Sequence, residues 1–233
     1  MNFKRITLLA GHYGSGKTNI AVNLAMQLRK TEPRVAVADL DIVNPYFRTK
    51  DSQKELEQAG IRFICSEYAN SNVDIPALPQ TLYAVTDDRN LHCVLDIGGD
   101  DRGALALGRY TPTIKAEGNY EMLFVVNRSR PLTRTVADTL EVMGEIEEAC
   151  QLPFTAIVNN TNLGLQTTAR DVLASLDYAQ ALSEATGLPI KMTCAAAHLC
   201  PELTGKVPNL FPLSIQKLYY MINSEVSNGE TDL

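Results

Sequence analysis

Residues 11–18 read Gly-His-Tyr-Gly-Ser-Gly-Lys-Thr, wedged between a short apolar run, Ile6–Ala10, and an amphipathic stretch from Lys17 to Arg29. Two glycines five positions apart, followed at once by Lys and Thr, demand a tight backbone curl between a strand and a helix. In such a curl successive N–H groups point inward, and the helix N-terminus behind them adds a partial positive charge. That arrangement suits phosphate oxygens: Lys17 is placed to reach the outer phosphates and the Thr18 hydroxyl to hold magnesium. From average composition, the four fixed positions would occur by chance in a chain of this length on the order of 1 % of the time. The alternative, a glycine-rich turn opening an ordinary helix, is therefore the weaker reading. Gly11, His12, Tyr13, Gly14, Ser15, Gly16, Lys17, Thr18 and Asn19 are the candidate nucleotide-binding residues. Lys17 is also a candidate catalytic cation and Thr18 a candidate metal ligand.

The rest of the 233 residues alternates short apolar runs with longer amphipathic segments. Strands are expected at Ile6–Ala10, Val35–Asp39, Ile61–Cys65, His92–Asp96, Met122–Asn127, Thr155–Asn159 and near Ile190–Thr193. Helices are expected over Lys17–Arg29, Asp51–Ala59, Pro79–Val85, Thr133–Cys150, Thr167–Thr186 and Leu213–Val226. Continuous Val/Ile/Leu character in several strands is the mark of a sheet covered on both faces. The pattern predicts a three-layer, doubly wound α/β fold with a mostly parallel sheet, in which ligands bind at the carboxyl ends of the strands. No linker-like run divides the chain, so one domain is expected over 1–233, with 226–233 as a frayed tail.

Composition narrows the partners. A net charge of −6 without a basic face argues against nucleic-acid binding. The C-terminal segment lacks the Lys/Arg-rich amphipathic face that would bind a membrane surface. No apolar run approaches the roughly 20 residues of a membrane span, and the N-terminal one is too short for a signal peptide, so a cytoplasmic address is expected. The five cysteines are an odd number without a Cys-x-x-Cys pair, expected as reduced thiols. His92 reads as a core or edge histidine. Cys194, His198 and Cys200 match no standard zinc spacing.

Two acidic clusters fall at strand ends on the rim of the glycine loop: Asp39-Leu-Asp41, and Asp96-Ile-Gly98-Gly99-Asp100-Asp101. A buried strand ending in an uncompensated Asp is costly unless a cation or hydrogen bonds receive it, and magnesium would do so. Asp39 and Asp96 are thus candidate metal ligands and Asp41 a candidate catalytic carboxylate, while the Gly99 N–H could reach a terminal phosphate. The alternatives are a helix cap for Asp96 and solvated loop acids for Asp39 and Asp41. Arg48 and Arg102 are candidates for the transition-state charge or simple surface ion-pair partners.

Together these residues resemble the MinD/ParA/Mrp superfamily of P-loop ATPases, which includes the nitrogenase iron protein, the arsenite-pump ATPase and nickel-insertion ATPases. The resemblance runs from Ile6 to about Ile190. It rests on residues 11–18, on Asp39-x-Asp41 followed by Asn44-Pro45, on Asp96-Ile-Gly-Gly and on Val158-Asn159-Asn160. It implies ATP and magnesium as cofactors, with Asp41 orienting the attacking water, Asp39 and Asp96 holding the metal through water, and Asn159 contacting adenine. Asn159 as a plain turn residue remains the other reading. Two features depart from the family pattern. His12 stands where most members carry a second, signature lysine, which puts a nucleotide-driven sandwich dimer in question though another homodimer stays possible. The metal-sharing Cys-x-x-Cys of the metal carriers is absent. ATP is expected over GTP, because Asn159-Asn160-Thr161-Asn162 lacks the Lys and Asp of a guanine site. The expected function is a slow ATPase switch read by a protein partner, in metalloenzyme assembly or activation. The competing expectation is an enzyme activating small-molecule carboxylates, like dethiobiotin synthetase or cobyrinate amidase, with a pocket at Asn127-Arg128-Ser129-Arg130.

Overall fold

A parallel sheet of eight strands organises the computed structural model, which describes residues 1–40, 52–65, 85, 87–98, 107–108 and 110–214. The strands are β1 Ile6–Ala10, β2 Val35–Leu40, β3 Arg62–Cys65, β4 His92–Ile97, β5 Tyr120–Val126, β6 Ala156–Asn159, β7 Ile190–Ala196 and β8 Leu210–Leu213. They lie in the order β3-β2-β4-β1-β5-β6-β7-β8, and every pairing is parallel. Among the described residues the α-helices are α1 Lys17–Leu28, α2 Gln53–Gln58, α3 Thr111–Glu117, α4 Val136–Cys150, α5 Ala169–Ala174, α6 Leu176–Thr186 and α7 Cys200–Leu203. The expected three-layer, doubly wound arrangement is what forms.

Strand alternation assigns each residue to a layer. Ile6, Leu8, Leu95, Ile97, Phe124 and Val126 share one core with Ile114 of α3, Val142 of α4 and Leu182 of α6. Leu9, Val37, Val94, Val125 and Val158 share the other with Ile20, Ala21 and Leu24 of α1. Strands buried on both faces need no polar alternation, which is why β1 and β2 are buried throughout. Central β1 sits between β4 and β5. The chain leaves β1 towards the β2 side but leaves β4 and β5 towards the other, so the connections part around β1 and open a crevice at its carboxyl end. At the opposite rim Arg5 pairs with Glu117, and Glu121 with Lys191, so the charges that enter the sheet there are compensated.

Several expected elements change. The helix expected over Thr167–Thr186 is two helices, α5 and α6, meeting at Ser175. No Gly or Pro breaks it: the Ser175 hydroxyl donates to Val172 O and accepts from Asn159, drawing the chain away from a continuous helix. The helix expected from Thr133 begins instead at Val136, because Pro131–Thr133 forms a 3-10 turn and Thr135 caps the helix through Asp138 N. β5 starts two residues early, where Tyr120 and Glu121 continue the pairing with Ile6 and Thr7. The sequence reading missed α3, α7 and β8. Leu213, expected to open a helix, closes β8, an edge strand that tolerates Pro212 because its outer side needs no ladder donor. Most of the helices expected over 79–85 and 213–226, and the tail 226–233, lie outside the described residues. No helix among the described residues is long and apolar enough to cross a membrane.

Candidate functional site

The loop between β1 and α1 is shaped by what its glycines must avoid. A Cβ at Gly11 would lie 2.3 Å from the Val125 carbonyl oxygen on neighbouring β5. At Gly16, with φ +91°, a Cβ would lie 2.3 Å from the Asn160 amide nitrogen. Lys17 is buried, and its Nζ crosses the loop to donate to Gly11 O at 2.8 Å and His12 O at 3.3 Å. Ser15 N donates to His12 O at 3.2 Å, closing the turn. The His12 ring stays with its own loop, Nδ1 donating to Tyr13 O at 3.0 Å, while the Tyr13 side chain is exposed. Asn19 lies in the first turn of α1, where its carbonyl accepts from Asn23 Nδ2 at 2.8 Å. Asn23 also exchanges two hydrogen bonds with the Ser214 backbone, tying β8 to α1.

Parity along the strands brings the metal-ligand candidates together. Val37 and Val94 face α1, so two residues on Asp39 and Asp96 face it too, and they are direct partners in the β2–β4 register. Asp96 is buried and accepts a 2.7 Å hydrogen bond from the Thr18 hydroxyl at the start of α1. Asp39 is buried beside it on β2. A hydroxyl and two carboxylates, all oxygen donors at one rim, match the preference of magnesium, which keeps several waters and takes few protein ligands. Among the described residues no cluster of three or more His, Cys, Asp or Glu is arranged to hold a metal. Asp41, Arg48, Gly99, Asp100, Asp101 and Arg102 lie outside the described residues, as does Asn44-Pro45.

Asn159 belongs to the face of Ile157, away from α1, and is fully buried. Its Nδ2 donates to Ser175 Oγ at 2.8 Å and its Oδ1 accepts from Thr161 N and Oγ1 at 3.2 and 2.9 Å. Both ends of the amide thus have a partner inside the protein. The next residue, Asn160, is the one on the loop side: its Nδ2 donates to Ser15 O at 2.7 Å. The β5 end adds Arg130, whose Nε donates to Gly14 O at 2.9 Å, while Arg128 turns away to Ala174 O and the Tyr178 ring. Asn127 joins the β5 and β6 ends, donating to Asn162 O at 3.1 Å and accepting from Asn162 N at 3.2 Å. The sequence reading missed Asn160 as a loop contact; its position one past the strand end was the available signal.

Elsewhere, polar groups settle into structural roles. His92 is half-buried and lies 3.3 Å from Glu32. Burial pushes the Cys93 and Cys150 thiols up to about 12, and raises Cys194 as well, so these thiols stay protonated and unreactive at neutral pH.

The comparisons with known proteins agree with this geometry. A family model described as CbiA, the CobQ/CobB/MinD/ParA nucleotide binding domain, matches residues 6–190. No curated protein matches the sequence. Chloroplast FtsY from Physcomitrella patens superposes with a TM-score of 0.54 at 17% identity, covering 83% of this chain and 59% of that one. Cell division protein FtsY from Thermotoga maritima gives 0.52 at 18%, covering 84% and 62%. The signal recognition particle 54 kDa protein from Aeropyrum pernix, solved in complex with GDP, gives 0.52 at 19%, covering 82% and 41%. At such identities these structures show a shared fold, that of P-loop nucleotide-binding domains, and this chain spans about three fifths or less of their length.

Proposed function

This chain belongs to the CobQ/CobB/MinD/ParA family of nucleotide-binding domains, and from that premise we propose that it is a magnesium-dependent ATPase working as a slow nucleotide switch for a protein partner. One observation carries the reading: the Thr18 hydroxyl and Asp96 carboxylate meet at 2.7 Å beside a loop whose lysine already lies across it. Gly11–Asn19 would hold the phosphates, and Thr18, Asp96 and Asp39 the magnesium, directly or through water. The metal would neutralise charge on the transferred phosphoryl group. Lys17 would exchange its two loop carbonyls for phosphate oxygens, and Asp41 would orient the attacking water. In calorimetry, Lys17→Ala is expected to weaken ATP binding by about tenfold or more, since a charge-assisted contact is lost. Unchanged affinity in a folded variant would refute the assignment.

Adenine is favoured because Asn159-Asn160-Thr161-Asn162 lacks the Lys and Asp of a guanine site. The GDP-bound structure of the signal recognition particle protein makes guanine the competing reading. Displacement of labelled ATP by GTP at equal potency would decide for it.

The partner is a protein, a client in metalloenzyme assembly or activation, and neither nucleic acid nor membrane. With the His12 ring bonded inside its own loop, nucleotide-driven dimerisation is expected to be weak. Sedimentation with and without a non-hydrolysable ATP analogue tests this, and a full shift to dimer would contradict it. Arg130 at the loop supports a second reading, phosphorylation of a small carboxylate. In that case ATP turnover would rise with added carboxylic acids and no protein partner.

A further inference from the structure

Two side chains from the far side of the crevice hold consecutive carbonyls of the phosphate loop. Arg130 takes Gly14 O and Asn160 takes Ser15 O. The two peptide units that follow these carbonyls are not equivalent. The Ser15 N–H is turned back onto His12 O. The Gly16 N–H takes no protein partner among the described residues, and Gly16 has no side chain to cap α1. In a planar trans peptide the carbonyl and the following N–H point in opposite directions, and no peptide bond among the described residues is cis. Whatever fixes Ser15 O therefore fixes the Gly16 N–H.

We infer that Asn160 is a positioning residue of the phosphate site: by holding Ser15 O outward it turns the Gly16 N–H towards the anion. The contact is buried, so water does not compete for it. It is also exclusive to glycine at position 16, since a Cβ there would meet the same amide nitrogen at 2.3 Å. Gly16 thus serves two ends, the left-handed curl at φ +91° and the close approach of Asn160. Asn160 touches no phosphate itself; it acts through the backbone. This rests on the nucleotide-binding reading above and adds the group that orients one of its donors.

Pyrophosphate isolates the effect, because it engages the loop without a base. The test compares pyrophosphate and ADP affinities by calorimetry in the wild-type chain, Asn160→Ala and Asn159→Ala. Asn159→Ala is the control, since it loosens the same strand end through Ser175 and Thr161 without touching the loop. Asn160→Ala is expected to bind pyrophosphate about tenfold more weakly, the loss of one well-placed donor to an anion. Asn159→Ala should stay within about twofold despite its lower melting temperature. A pyrophosphate affinity retained in Asn160→Ala, or lost equally in Asn159→Ala, overturns the positioning role. Failure of the wild-type chain to bind either ligand overturns the nucleotide reading itself. Should Asn160→Ala not fold, Asn160→Ser retains a shorter donor, and the Gly16 amide resonance of the ligand-free protein then reports the same point. A shift confined to the loop supports the inference, and an unmoved Gly16 amide refutes it.

Discussion

Gly11 offers the sharpest test of why the loop is built as it is. An alanine there would place its Cβ 2.3 Å from Val125 O and 3.2 Å from Val125 C, more than 1 Å short of ordinary contact with the oxygen. The obstacle is backbone, and it cannot swing aside. Ala10 and Phe124 are paired immediately before it, in the centre of the sheet, so relief means prying β1 from β5. Overpacking of this kind costs about 3 kcal/mol, the upper end of the usual range because no side chain can rotate away. For a chain of this size that corresponds to a melting temperature lower by about 6–12 °C. Gly144→Ala in α4 is the internal comparison: its Cβ would meet nothing within 4 Å, and helix propensity should stabilise by about 0.5–1 kcal/mol. Urea unfolding of both variants beside the wild-type chain gives the two signs directly. A Gly11→Ala variant within about 1 kcal/mol of wild type, with an unchanged m-value, would show that the β1–β5 approach is not the constraint argued here.

Asp96→Asn should weaken nucleotide binding chiefly in the presence of magnesium, whereas Asp41→Asn should abolish hydrolysis with binding retained; identical behaviour in filter-binding and phosphate-release assays would dissolve the division of roles. Thr168→Ala removes the side-chain half of a reciprocal cap, in which Thr168 Oγ1 accepts from Asp171 N while Thr168 N donates to Asp171, and should cost about 1 kcal/mol in urea unfolding. Cys93 titrates at about 12 in the folded chain against 9.0 ordinarily, because burial disfavours the thiolate. Its contribution is full below pH 9 and is lost as pH rises through about 12, since the unfolded chain sheds the proton first. The fall in stability across that window should therefore be shallower in Cys93→Ala.

The sequence alone determined what depends on neighbours a few residues apart. Glycine spacing with Lys17 and Thr18 dictates the curl between strand and helix, and continuous apolar runs dictate a sheet covered on both faces. Acidic strand ends mark the candidate rim, and Asp39 and Asp96 are legible there because an Asp closing a buried strand must meet a cation or a hydrogen-bond donor. Tertiary structure alone decided which groups meet. Insertion of β4 between β2 and β1 puts Asp96 in register with Asp39 and brings it to Thr18, 78 residues away in the chain. The Asn159 and Asn160 surroundings turned on a single residue of register, because one step along a strand reverses the face a side chain occupies. A strand end read from composition is uncertain by about that much. The break at Ser175 was equally hidden: its side chain is drawn by Asn159 from a strand 16 residues earlier. Local propensity cannot encode such pairings, which arise only when distant segments pack and each buried polar group must find its partner.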